Sequence, residues 1–210
     1  KEAVNYAKLY GVKVYITVNT LIFENEIDDF IEYIKFLYEI DVDAIIMQDL
    51  GMIKLVKSLF PNLEIHASTQ MHNHSKESIK YLKSLEIARV VLARELSLEE
   101  IKNIDVDIEK EVFVYGALCI SYSGQCLMSS CLLNRSGNKG ECAGMCRLPY
   151  DLYEENKKIN TEGKYLLSPK ELNTLSNLRE IIDSGVNSLK IEGRMKSPEY
   201  VGYVTKLFRR

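Results

Sequence analysis

Short apolar runs alternate with amphipathic helical segments along most of this chain, and that alternation limits the fold more than any single residue does. "VKVYITVN" clusters β-branched and aromatic residues and stops at Asn19 and Thr20, the pattern of a strand running into a turn. "EIDDFIEYIKFLYEI" follows, with Ile27, Phe30, Ile31, Ile34 and Leu37 on one helical face. "DAIIMQD", "LEIHAST", "RVVLAREL" and the run from Glu111 read as further strands, spaced by helical "MIKLVKSLF", "SKESIKYLKSLEI" and "SLEEIKNI". The last of these helices opens with the capping-box spacing Ser97 to Glu100. Further on, β-like "YDLYEENKKIN" and "KYLLS" precede a helical "ELNTLSNLREIIDSG", a strand "VNSLKIEG" and a helix opening at Ser197-Pro198.

Strand starts near residues 13, 44, 64, 89 and 111 suit repeated βα units, which build a parallel sheet. The expected fold is α/β: a partial TIM-like (β/α) barrel of about six units, truncated at the N-terminus, with a cysteine-rich irregular insertion. Residues 1–210 would be a fragment of one barrel-like domain, and 116–150 the Cys/Gly-rich segment within it. An open doubly wound sheet is the competing architecture, but no Gly-rich dinucleotide loop follows any strand. "KEAVNYAKLYG" is helical from Lys1 without an initiator methionine, and the last residues end inside a helix, so the chain reads as cut at both ends.

Apolar residues at 46% and only four prolines describe an ordinary globular chain rather than a disordered one. No apolar run approaches the ~20 residues of a membrane span and no charged-then-apolar leader opens the chain, so no membrane partner is expected and the cytoplasm is the default location. A net charge of -3 argues against a general polyanion-binding surface, while leaving room for a local basic patch.

In parallel barrels the functional groups sit at the carboxyl ends of the strands. Those ends supply Asn19, Gln48 and Asp49, Ser68 to Gln70, Arg94 and Glu95, Gly116 to Cys119, and Glu192 to Arg194. All five cysteines fall between Cys119 and Cys146, beginning at one of these ends. Four stand as Cys119-x6-Cys126 and Cys142-x3-Cys146, and Cys131 interrupts the gap. Buried structural thiols would scatter, and disulfides do not suit an odd count in a chain with no sign of secretion. Four thiolates suit structural zinc or an iron-sulfur cluster, and the six-residue spacing of the first pair favours the cluster. Gly116, Gly124, Gly137, Gly140 and Gly144 interleave with the thiols and permit tight turns around a bound group.

These residues carry a resemblance. "EVFVYGALCISYSGQCLMSS", from Glu111 to Ser130, resembles the signature of peptidase family U-32, the collagenase-like proteins, with Glu111, Phe113, Gly116, Ala117, Cys119, Gly124, Cys126, Met128 and Ser129 at its fixed positions. "IHASTQMHNHS", "NRSGNKGECAGMCRLPY", "LLSPKEL" and "GVNSLKIEGRMKSPEYV" are similar to other segments of the family in the same order. The resemblance implies a barrel-like domain. It also implies kinship with bacterial enzymes that hydroxylate the wobble uridine of tRNA or a cytidine of 23S ribosomal RNA, and with paired proteins that hydroxylate ubiquinone precursors. Those activities imply a 4Fe-4S cluster and prephenate as a source or required metabolite. Carried over, the ligands are Cys119, Cys126, Cys142 and Cys146, with Cys131 outside the pattern.

Residue chemistry separates the possible reactions less sharply. There is no Gly-x-Ser-x-Gly elbow or His-Glu-x-x-His helix for a peptidase, although His66, His72 and His74 lie within nine positions and are conceivable zinc ligands. Pairing Cys119 with His66 as a cysteine protease leaves three thiols unexplained. For hydroxylation, Arg194 or Lys196 suits a small carboxylated metabolite such as prephenate, and Gln70, Asp49 or Glu192 suits base edges or ring hydroxyls. His66 reads equally as a catalytic group or a hydrogen-bonded core residue. Arg135, Lys139 and Arg147 flank the thiols against Glu141 alone, an excess that suits RNA phosphates. The expected function is cluster-dependent hydroxylation of a base in tRNA, or else in rRNA. A peptidase and a non-catalytic metal module are the alternatives.

Overall fold

The computed structural model describes residues 1–209. Helix α1 (Glu2–Leu9) ends at Gly11, whose φ of 65° supplies the left-handed turn that stops it. Then β1 (Tyr15–Val18), α2 (Ile27–Glu39), β2 (Ala44–Met47), α3 (Leu50–Leu59), β3 (Ile65–Ala67), α4 (Lys76–Ser84), β4 (Arg89–Val91), α5 (Leu98–Asn103) and β5 (Glu109–Gly116) alternate strictly. Every strand from β1 to β5 pairs in parallel with the next, and β9 (Ser188–Ile191) continues the sheet beside β5. This sequential order never reverses, so the sheet lacks the switch point of a doubly wound fold. It is a curled parallel half-barrel. No helix among the described residues is long and apolar enough to cross a membrane.

The two faces of the sheet have opposite chemistry. Ile16, Val18, Ile45, Met47, Ile65, Val90, Leu92, Val112 and Val114 pack with Phe30, Ile34, Leu37, Ile53, Val56, Ile79, Leu82 and Ile101 from the helices. The apolar helix stripes visible in the sequence are buried here, burial being the main stabilising term of such a layer. Residues in register share a face, and Thr17, Ile46, His66, Arg89 and Glu109 form one row across β1 to β5 on the other face. Arg89 contacts Glu109 at 2.6 Å and Glu111 at 3.5 Å, and Lys190 of β9 reaches Glu111 at 3.1 Å. The concave face is therefore charged, where such barrels usually fill it with branched apolar side chains.

Two stretches differ from the sequence reading. Residues 164–168, expected as β-like, are a turn in which Tyr165 and Leu166 are exposed and no neighbouring strand offers pairing. Only "YDLYEENKKIN" forms strands, the isolated hairpin of β6 (Leu152–Glu154) and β7 (Lys157–Ile159). The segment expected as one helix from residue 171 instead starts as β8 (Leu172–Asn173), antiparallel to the end of β5. Thr174 donates to the Val114 carbonyl through its N–H at 3.2 Å and its hydroxyl at 2.9 Å. The open end of β5 thus captures the chain, and helix α7 begins only at Leu178, running to Asp183. The last helix, α8 (Pro198–Phe208), has Ser197 as its cap, with Pro198 in the first turn as the sequence indicates.

Candidate functional site

The segment from Ala117 to Arg147 lies over the carboxyl ends of the strands and is fastened at both flanks and in the middle. A Cβ on Gly116 would sit 2.3 Å from the Glu192 carbonyl oxygen, and one on Gly124 1.9 Å from that of Gln70. Their φ values of 105° and 74° lie in the range that glycine adopts freely, so these two positions require it. Near β1, the Asn138 carbonyl accepts from the Leu21 N–H at 3.0 Å and from Gln48 Nε2 at 3.1 Å. Lys139 pairs with Glu26, donates to the Leu21 carbonyl and stands 4.4 Å from the centre of the Phe23 ring. At the other flank, Arg147 donates to Ser168 Oγ at 2.7 Å and to the Leu118 carbonyl. Two of the three cations read as phosphate-facing, Lys139 and Arg147, are thus engaged in bracing, while Arg135 is exposed and has no ion pair among the described residues.

Cys119 follows the end of β5, Cys126 follows the Gly124 turn, and Cys142 and Cys146 bracket the Gly144 turn. The Gly144 N–H donates to Cys142 Sγ at 3.4 Å. Ser129, buried on α6 (Met128–Leu133), accepts from the Ala143 N–H at 3.0 Å and directs its hydroxyl toward Cys142 Sγ at 3.9 Å. Burial pushes the Cys146 thiol up, Cys119 adds to this, Arg147 opposes it, and Cys142 and Cys126 raise it further. These three thiols are therefore its electrostatic neighbours. Cys131 is exposed on α6. Among the described residues, no group of three His, Cys, Asp or Glu side chains is arranged to hold a metal ion.

The remaining expected site residues separate. Asp49 caps α3, accepting from the Met52 N–H at 3.1 Å and the Ile22 N–H at 3.2 Å, so both carboxylate oxygens hold backbone. Gln70 presents its carbonyl to Gly124 beneath the thiol segment. Glu192 accepts from the Arg194 N–H at 2.7 Å, while Arg194 is exposed and Lys196 pairs with Glu171. His66 lies away from the thiols in the charged concave face, 1% exposed, with Nε2 2.7 Å from Glu64 and its ring edge-on to Tyr15. Burial holds it below the ordinary histidine value.

One constellation was not foreseen. His72 Nε2 lies 2.8 Å from Glu95 Oε1, and Glu95 in turn accepts from the Ser123 N–H at 3.1 Å and the Ser123 hydroxyl at 2.9 Å. Ser123 also accepts from the Arg94 backbone N–H and Nε, at 3.1 and 3.2 Å. The sequence named His72 among conceivable metal ligands and Glu95 as a strand end, but a pairing across 23 positions leaves no local trace.

A family model described as "Peptidase family U32" matches residues 1–210. The chain belongs to peptidase family U32. U32 relatives carry different names: the 23S rRNA 5-hydroxycytidine synthase of Escherichia coli is 41% identical over 99% of this chain and 32% of its own length. The tRNA hydroxylation protein P1 of Bacillus subtilis is 38% identical over 100% of this chain and 51% of its own. A protein of Porphyromonas gingivalis named collagenase is 32% identical over 95% of this chain and 51% of its own. The chain thus spans between about a third and a half of the length of these relatives.

Proposed function

We propose that this chain is the barrel portion of an iron-sulfur-dependent enzyme that hydroxylates an RNA base. The favoured substrate is the wobble uridine of tRNA, with a cytidine of ribosomal RNA as the other RNA candidate. In this reading residues 1–210 are part of one TIM-like barrel domain working in the cytoplasm, with 116–150 inserted as the cluster-binding segment. The observation that carries it is that Cys119, Cys126, Cys142 and Cys146 all stand on the one segment fastened over the carboxyl end of the sheet at Gly116 and Gly124. The relatives named for rRNA and tRNA hydroxylation, at 41% and 38% identity, supply the reaction.

The donor set fits a 4Fe-4S cluster. Four soft thiols on one segment suit such a cluster as ligands, and the six-residue spacing of the first pair favours it over a zinc ion. When bound, the cluster would supply redox or Lewis-acid capacity that side chains lack. The chain's own residues do the positioning. Gly144 and Ser129 orient Cys142, while Lys139 and Arg147 fasten the segment at its flanks. Exposed Arg135 is suited to a phosphate, and Arg194 to a small carboxylated donor such as prephenate.

The relative named collagenase favours a peptidase as second reading. Among the described residues, however, no serine, threonine or cysteine side chain is hydrogen-bonded to an imidazole, the pairing that activates such a nucleophile. Deleting the gene and measuring tRNA and rRNA nucleosides by mass spectrometry tests the reaction: one hydroxylated base should disappear. Anaerobic purification with iron, sulfide and zinc analysis tests the cofactor. Colourless protein holding one zinc would refute the cluster, and an unchanged nucleoside profile with loss of a peptide-cleaving activity would favour the peptidase.

A further inference from the structure

A cleft of about 160 Å³ opens beside the thiol segment, lined by Arg94, Glu95, Cys119 and Tyr122. His72 adjoins two of these residues, with Nε2 2.8 Å from Glu95 and its ring 5.9 Å from that of Tyr122, and is stacked at 4.3 Å on His74. His72 Nε2 meets the Glu95 carboxylate as an ion-pair contact, which leaves Nδ1 as the ring nitrogen free to take a proton. Nδ1 has no hydrogen-bond partner among the described residues, whereas the Nδ1 of His74 is occupied by the His72 carbonyl at 2.8 Å. The left-handed backbone of His72, φ 56°, ends the short 3-10 turn Thr69–Met71 and sets the direction of its side chain.

We propose that His72 is the proton-transfer residue of this site, with Glu95 and Ser123 as its positioning residues, acting on a molecule bound in the cleft next to Cys119. A proton passes from an O–H or C–H of that molecule to His72 Nδ1, and the bonding electrons stay on the molecule. The positive charge gained by the imidazole faces the Glu95 carboxylate, and returning the proton restores the neutral ring. Glu95 is suited to this because it stays ionised. Burial pushes its carboxyl up, but the Ser123 N–H and hydroxyl, together with His72, outweigh burial and hold it below the ordinary range. The other charged or titratable groups facing His72 and the cleft are His74, Tyr122, Arg94 and Cys119.

The proposal rests on the hydroxylase reading, so its test separates the two. In a strain lacking the gene and complemented with wild type, His72→Gln, His72→Gly or Glu95→Gln, the modified base is quantified alongside the iron and sulfide content of each protein. His72→Gln should lose at least ~100-fold in rate, the scale of general acid–base catalysis, with the cluster retained. Free imidazole should partly restore His72→Gly in vitro, a rescue that a merely structural role does not give. On the isolated protein, diethyl pyrocarbonate should acylate His72, as peptide mass mapping would register. A hydroxylated base in wild type and in His72→Gln alike, or a His72 that resists acylation, would overturn this role alone. No hydroxylated base even in wild type would overturn the reaction and the role together.

Discussion

A Cβ placed on Gly124 would lie 1.9 Å from the carbonyl oxygen of Gln70, closer than atoms in contact ever come. The obstacle is backbone, which cannot swing aside as a side-chain end does, and the φ of 74° adds strain for any other residue. Gly124→Ala is therefore expected to lift the thiol segment off the end of β3 and cost most of the bound iron. Gly137→Ala, whose Cβ would meet nothing nearer than 3.9 Å, should retain it. Iron per chain after anaerobic purification measures both, and equal iron in the two variants would contradict the clamp.

The thiol series assigns the ligands. Cys119→Ala, Cys126→Ala, Cys142→Ala and Cys146→Ala should each abolish the visible absorption of the cluster, while Cys131→Ser keeps it, since Cys131 lies on α6 outside the four-thiol pattern. Comparable loss from Cys131→Ser would break the assignment.

Acid should weaken the fold in two stages. Burial lowers the folded value of His66 below its ordinary 6.5, with Arg89 helping and Glu64 opposing, so the unfolded chain takes up the proton first. Its contribution is complete above about pH 6.5 and is lost as the pH falls toward the folded value. For Glu111 burial acts upward, but Lys190, Ser188 and Arg89 prevail and hold it below 4.5, so a second loss follows as the pH falls below that point. Urea midpoints recorded from about pH 8 down to about pH 3 should show both stages, and His66→Gln should remove only the upper one.

Glu111 is the buried anion that Arg89 and Lys190 share, and Ser188 donates to it at 2.8 Å. Glu111→Ala leaves two cations facing each other over the concave face and should destabilise by about 3–5 kcal/mol, the usual result of breaking a buried pair. Denaturant unfolding measures it. A loss under about 1 kcal/mol would mean that the charges are solvated, as exposed pairs are.

The sheet was legible because its signals are local. The stripe of Phe30, Ile34 and Leu37, the Ser97 capping box with Glu100, and the Ser197-Pro198 start all depend on neighbours within a few positions, and all three stand in the structure. The thiol spacing likewise located the candidate site at a strand end. What escaped depends on distant partners. Leu172 and Asn173 leave the helical pattern because the end of β5 pairs with them, and Asp49, polar at a strand end, spends its carboxylate on a helix start. The charged face of His66, Arg89 and Glu111 looks like surface alternation until the sheet curls and turns it inward. His72 and Glu95 meet only because Ser123, much later in the chain, holds the carboxylate.

The bond from Lys139 to the Leu21 carbonyl joins positions 118 residues apart. The βα units, whose contacts lie within tens of residues, can condense early, while so long a closure forms late. The thiols accordingly reach their places on a sheet already built, and under the proposed cluster reading metal loading would be the closing step of maturation. Its imprint is expected far from any cysteine along the chain, as slower amide exchange in Tyr15–Val18, the strand to which the braces lead.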